Sequence, residues 1–154
     1  MADDKTRDVT QLEELGRALW AAQYRRRSAL DHELANVGTT FPQWFALGEI
    51  SKQDGASAHW LAVKTFQSDQ AFGTLANRLE AQGLIARSPG EGRKVAHHLT
   101  PSGEAMLVAG NAVANRMLDQ SFGSLTVAER TTLRELLDRV GTALDAVPRG
   151  VTNG

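Results

Sequence analysis

The chain has no cysteine, a single tyrosine and four prolines, and aromatic residues make up only 6% of it. Without cysteine there is no disulfide framework, no thiolate metal site and no thiol redox switch. Long apolar runs are missing too, since nothing approaches the roughly 18–20 consecutive apolar residues of a membrane-spanning helix. No membrane partner is expected. The opening MADDKTRDVT is charged and lacks an apolar stretch of the secretory kind, so a cytoplasmic protein is expected. Neither sign of charge dominates: 17 basic residues meet 18 acidic ones, for a formal net charge of −1. That balance alone does not point to nucleic acid. The stretch GEGRKV has the wrong glycine spacing for a phosphate loop, and no Ser or Thr follows Lys94. His97 and His98 are neighbours, which on a strand face opposite ways, one packed under the hairpin and one exposed. With no carboxylate cluster or nucleophile–base spacing nearby, no metal, cofactor or catalytic residue is expected, and so no enzyme.

What the chain does have is helical rhythm. Its 154 residues, 42% apolar, suffice for one core or for a compact lobe with an extension. From about Val9 to Val37 the residues Leu12, Leu15, Leu19, Tyr24, Leu30 and Leu34 recur at helical steps. Thr40 is placed as an N-cap with Pro42 in the first turn, and Phe41, Trp44, Phe45, Leu47 and Ile50 fill the second helix, which ends near Gly55. A helix of about two turns follows around Trp60, Leu61 and Val63. Ser68 then caps a helix from Asp69 to Gln82, and Gly83 closes it. On that helix Phe72, Leu75, Ala76 and Leu79 form one buried face. The opposite face carries Gln70, Thr74 and Asn77, flanked by Ala71, Gly73 and Arg78. Amides, a hydroxyl and small residues stand where a surface helix usually has Glu and Lys.

Leu84–Ser88 and Lys94–Leu99 are too short for helices, and Pro89, Gly90 and Gly92 separate them, so they predict an antiparallel hairpin with Arg93 and Lys94 at its tip. Thr100 and Pro101 open a further helix carrying Met106, Ala109, Val113 and Met117. Thr126 to Glu129 is a capping box for a last helix striped by Leu133, Leu136, Leu137, Val140 and Leu144.

The order helix, short helix, turn, helix, hairpin is that of a winged helix-turn-helix. A braced helix about 10–12 Å across fits a major groove about 12 Å wide. Gln70 and Asn77 have the donors and acceptors to read adenine, and Thr74 can contact a base or a thymine methyl. A basic hairpin tip reaches the backbone or the minor groove. From His59 to Thr100 the basic residues Lys64, Arg78, Arg87, Arg93 and Lys94 outnumber Asp69, Glu80 and Glu91, a weakly basic stretch in an acidic frame. The run Arg25–Arg27 fans around its helix and reads as a solvated face.

The segment SDQAFGTLANRLEAQGLIARSPGEGRKVAHHLTPSG resembles the core of the multiple-antibiotic-resistance regulator (MarR) family, and TTFPQW resembles the start of that family's second helix. The likeness runs from about residue 10 to 146 and is closest from Ser68 to Gly103. It implies a two-fold dimer that binds double-stranded DNA, with Ser68, Gln70, Ala71, Gly73, Thr74, Asn77 and Arg78 at the major groove. Arg87, Arg93 and Lys94 would serve the wing. Many members carry Asp-x-Arg in the wing, where this chain has Glu91 and Arg93. The resemblance also implies a small aromatic or lipophilic effector, with Trp44 and Trp60 near the walls of its pocket.

The expected architecture is mainly α with a small β-hairpin. Residues 1–38 form an N-terminal dimerisation helix, 39–100 the winged helix-turn-helix lobe, 101–147 the C-terminal dimerisation helices and 148–154 a mobile tail. Leu12, Leu15 and Leu19, with Leu133, Leu136, Leu137, Val140 and Leu144, lie outside the lobe and call for a second copy of the chain. A sequence-specific regulator, a repressor on a pseudo-palindromic operator, is the leading expectation. The alternative is a winged-helix protein-interaction module that does not bind DNA.

Overall fold

The computed structural model describes residues 2–92 and 94–145, with side chains from Asp8 onward. The expected tail, 148–154, and Arg93 lie outside the described residues. One compact unit runs through Met117 and a second begins at Leu118.

The first unit opens with α1 (Ala2–Asn36), which starts well before the Val9 expected from periodicity. Thr40 caps α2 (Phe41–Lys52) in a reciprocal capping box: Thr40 Oγ1 accepts from the Gln43 N–H, and Gln43 Oε1 accepts from the Thr40 N–H. β1 (Ala56–Ser57), α3 (Ala58–Lys64) and α4 (Asp69–Ala81) follow, then β2 (Ile85–Pro89), β3 (Val95–Leu99) and α5 (Pro101–Phe122). The predicted hairpin is present, but it gains a third strand. β1 adds to β3, giving the order β1-β3-β2 with Ala56 opposite His97. Two residues of strand leave no periodic trace, so β1 could not be read from the sequence.

The main core gathers Leu47, Ile50, Leu61, Phe72, Ala76, Leu79 and Ile85, drawn from α2, α3, α4 and β2. Phe72, Ala76 and Leu79 come from the predicted apolar face of α4, and Leu75 packs at its edge. Burying a side chain the size of Phe72 contributes roughly 1.5–3 kcal/mol. Helix α4 ends in a Schellman turn: the Gly83 N–H reaches Glu80 O and the Leu84 N–H reaches Leu79 O, with Gly83 at φ 69°. Leu79 and Leu84, which flank that turn, are both buried. A smaller cluster joins Leu30 and Leu34 of α1 to Val113 of α5, with Phe41, Trp44 and Met117 against it.

Thr100 ties the hairpin to α5. Its hydroxyl donates to Gly83 O at 2.6 Å and accepts from the Gly103 N–H at 3.1 Å. Gly103 lies so close to the Leu84 carbonyl that a Cβ would overlap the oxygen. Phe66, between α3 and α4, closes another Schellman turn: the Phe66 N–H bonds Val63 O and the Gln67 N–H bonds Ala62 O. Phe66 holds φ 57° in a slot where glycine is usual, and its ring is 90% exposed.

The second unit holds the end of α5 and α6 (Val127–Asp145). Thr126 and Glu129 form the predicted capping box, and Arg130 donates from Nε to Phe122 O, capping the carbonyl end of α5. Among the described residues no helix is long and apolar enough to cross a membrane.

Two substitutions should act in opposite directions. Gly103→Ala forces the hairpin root and α5 apart and should cost about 1–3 kcal/mol, seen as a lower urea midpoint. Phe66→Gly relieves left-handed strain without removing buried surface and should raise stability by about 1 kcal/mol in the same measurement.

Candidate nucleic-acid interface

With Phe72, Ala76 and Leu79 buried, the helical repeat turns Gln70, Ala71, Thr74, Asn77 and Arg78 outward, and each is exposed. Gly73 is half-buried. The expected groove-facing set therefore shares one side of α4, but its polar atoms are not equally available. Ser68 Oγ accepts from the Ala71 N–H at 3.1 Å, which makes Ser68 a cap. The Thr74 hydroxyl donates back to Gln70 O at 3.1 Å, leaving its methyl and lone pairs outward. Asp69, at the entry to α4, accepts from His59 Nδ1 at 3.0 Å. Gln70 and Arg78 make no side-chain hydrogen bond or ion pair among the described residues.

Arg87 lies on β2 of the hairpin. In the register Arg87↔His97, with Ile85 two residues before it, its side chain shares the core-facing side of β2. It runs under α4, where Nη2 donates to Asn77 Oδ1 at 2.8 Å and Nη1 lies 3.5 Å from Glu80 Oε2. Its side chain is 26% exposed and Nε is buried without a partner. Arg87 thus lies on the hairpin, as expected, with its side chain bracing α4. The signal was the period-2 relation to Ile85. At the hairpin end the Gly90 N–H bonds Lys94 O at 2.9 Å, and the Lys94 side chain is exposed. Arg93, and with it any Glu91–Arg93 pairing, lies outside the described residues.

His97 is buried beneath α4. Its Nδ1 donates to Ala56 O at 3.0 Å and its ring meets Phe72 edge-on at 5.9 Å between centroids. Burial is the main cause holding its pKa below the ordinary value; the Arg87 charge adds to this, against the Ala56 bond and Glu80. His98, expected to be exposed, is half-buried. It links Ser88 (2.9 Å) and Asp54 (2.8 Å), pinning the other face of the hairpin to the turn after α2. No group of three or more His, Asp or Glu side chains that could hold a metal occurs among the described residues.

Trp44 and Trp60 pack against different clusters. The Trp44 ring lies on Gly110, next to Phe41, and its Nε1 donates to Asn111 Oδ1 at 2.9 Å. Trp60 packs on the main core and lines a cleft of about 510 Å³ between β1 and the hairpin end. A different concavity, about 590 Å³, runs along α1 between Arg17, Trp20, Tyr24 and Arg27. Every residue lining it belongs to α1, so it is an open surface rather than an enclosed pocket. Arg27 there pairs with Asp31 and lies 3.9 Å over the Phe41 ring.

Residues 37–94 match the MarR family. The HTH-type transcriptional repressor NicR of Pseudomonas putida is 31% identical over 141 residues, covering 90% of this chain and 87% of that one. The chain belongs to the MarR family. The crystal structure of a probable transcriptional regulator from Pseudomonas aeruginosa agrees, with a TM-score of 0.72 at 31% identity over 81% of this chain and 95% of that one. So does BpsR of Bordetella bronchiseptica, whose DNA binding is regulated by 6-hydroxynicotinic acid: TM-score 0.73, 25% identity, 83% and 98% covered. This MarR-family chain is a DNA-binding transcriptional regulator with the winged helix-turn-helix fold. The family and these relatives are regulators, not enzymes.

The buried histidine sets a pH dependence. Below about pH 6.5 the unfolded chain takes up a proton at His97 that the fold resists until the pH reaches its lower folded value. The stability from neutral His97 is thus fully present above about pH 6.5 and is lost as the pH falls through that window. Urea midpoints between pH 7.5 and 5.0 should drop for the native chain, and His97→Asn should remove that part of the slope.

Proposed function

We propose that this protein is a repressor that binds a pseudo-palindromic operator as a homodimer and is released by a small aromatic acid. The outward polar face of α4 carries this reading. Gln70, Thr74, Asn77 and Arg78 stand clear of the core on the helix that a winged helix-turn-helix lays in the major groove. Lys94, and Arg93 beside it in sequence, would meet the backbone from the wing. Residues 39–100 would form the DNA-binding lobe, with 1–38 and 101–147 the dimerisation segments.

The dimer reading rests on apolar exposure. Leu12, Leu15 and Leu19 are 61%, 63% and 45% exposed, and Leu136, Leu137, Val140 and Leu144 range from 42% to 64%. Leu133 is half-buried. Stripes at helical spacing left this open are suited to a second copy, and a two-fold dimer places recognition helices about one DNA turn apart.

For the effector, the α1 concavity is better supported than the Trp44 and Trp60 pair. Arg17 offers a guanidinium beside Trp20 and Tyr24, which are 82% and 75% exposed. A cation flanked by two open rings suits an aromatic carboxylate once a second wall closes over it. The acid can release DNA only through its differential affinity for the two states.

Selection from fragmented genomic DNA of the source organism at moderate salt, with Arg93→Ala/Lys94→Ala in parallel, tests the reading. A pseudo-palindrome should be enriched, and each lost phosphate contact should lower the salt slope by roughly 1. No enrichment even at about 50 mM salt, where phosphate contacts are strongest, would instead favour a protein-interaction module.

A further inference from the structure

We infer that Asn77 reads guanine, not adenine, in the operator, because Arg87 holds its carboxamide with the oxygen turned to the protein and the NH₂ turned to DNA. The inference rests on the DNA-binding reading above and adds the base class and the residue that sets it.

The orientation follows from donor chemistry. Arg87 has only donors, so the atom of Asn77 that meets Nη2 at 2.8 Å must be the oxygen. Arg87 cannot easily turn away, since its side chain is 26% exposed and Nη1 lies beside Glu80. The exposed terminus of Asn77 is then an NH₂ with two hydrogens.

An amide that reads adenine must accept from N6 and donate to N7 together, both its ends meeting one base edge. Here the oxygen already accepts from a cation. That charge polarises the amide, making Oδ1 a poorer acceptor for a second partner and the NH₂ a stronger donor. In the major groove guanine offers two adjacent acceptors, N7 and O6, with no donor beside them. The two hydrogens match that edge, whereas the N6 amino group of adenine would face another donor.

Arg87 is therefore a positioning residue. It acts on base choice through Asn77 without touching phosphate. The sequence equally allowed a phosphate contact for Arg87 and an adenine contact for Asn77, and the two assignments change together.

The test is a panel of affinities on the selected operator, with each base pair replaced singly, for the native chain and for Asn77→Ala, Asn77→Asp, Arg87→Ala and Arg87→Lys. One guanine per half-site should lose about tenfold when replaced by adenine or by 7-deazaguanine, within the range of a single base contact. Asn77→Ala should bind those operators equally. Asn77→Asp keeps a partner for Arg87 but presents oxygen outward, so its preference should move to a base offering a donor, cytosine N4 or adenine N6. Arg87→Ala should blur discrimination at that one base pair with the salt slope unchanged, and Arg87→Lys should restore part of it. Melting temperatures of all variants separate this from loss of fold. The native and Asn77→Asp results stand even where Arg87→Ala fails to fold. An Asn77-dependent loss on removing an adenine N6 amino group, or a salt slope lowered by about 1 in a folded Arg87→Ala, overturns the inference while leaving DNA binding intact. No operator binding at all overturns both.

Discussion

The seam between α4 and the sheet is the constraint on which the rest of the lobe depends. Phe72, Ala76 and Leu79 are buried there against Ile85 and the ring of His97. A helix with one face committed in this way has no choice about the other, and Gln70, Thr74 and Asn77 point outward as a consequence of packing rather than of any preference of their own. The same seam fixes the hairpin. The Schellman turn at Gly83 delivers Leu84 into the core beside Leu79, and Thr100 then bonds Gly83 O from the far end of the hairpin. Helix end, strand start and the entry to α5 are closed by a handful of backbone groups, which leaves the hairpin few angles at which to leave α4.

Polar groups inside this seam show how closely support and recognition are joined. His97 bonds Ala56 and so attaches the short third strand, while its ring packs under α4. Arg87, opposite it in register, emerges on the same face and reaches Asn77 and Glu80. One cross-strand pair thus holds the sheet together at one end and orients an outward-facing amide of α4 at the other. Because Arg87 and His97 are close enough for the charge of one to disfavour the charge of the other, the pair suits a neutral imidazole and a guanidinium whose positive charge is answered by Glu80.

Helical periodicity made most of this legible from the chain alone. The apolar repeat of α4, the caps at Thr40, Ser68 and Thr126, and glycine at the end of α4 each rest on local chemistry, and local chemistry is written in consecutive residues. What could not be read depended on partners far apart in sequence. β1 is two residues long and exists only because β3 offers it an edge. The resemblance places Arg87 in the wing hairpin, but the direction of its side chain depends on strand register, and its partners lie on another element. His98 likewise found Asp54 across 44 positions. The resemblance groups Trp44 with Trp60, but not their packing partners: Trp44 lies against the α1–α5 cluster and Trp60 against the main core. Spacing within a segment predicts which face a residue takes, but not what waits on that face.

The near-zero net charge also has a structural resolution. Of the basic residues in the lobe, Arg87 is turned inward and balanced by Glu80, and Asp69 is engaged by His59. The outward balance on α4 is then set by Arg78 and by uncharged amides, with Lys94 exposed at the hairpin. Where a DNA-binding surface offers few free cations, phosphate neutralisation supplies less of the attraction and directional contacts to base edges must supply more. Non-specific binding falls with the first of these and discrimination rises with the second. A chain with as many acidic as basic residues can therefore still select one site on a polyanion, provided its few donors and acceptors are held in fixed directions, which is what the buried side of α4 and the Arg87 brace supply.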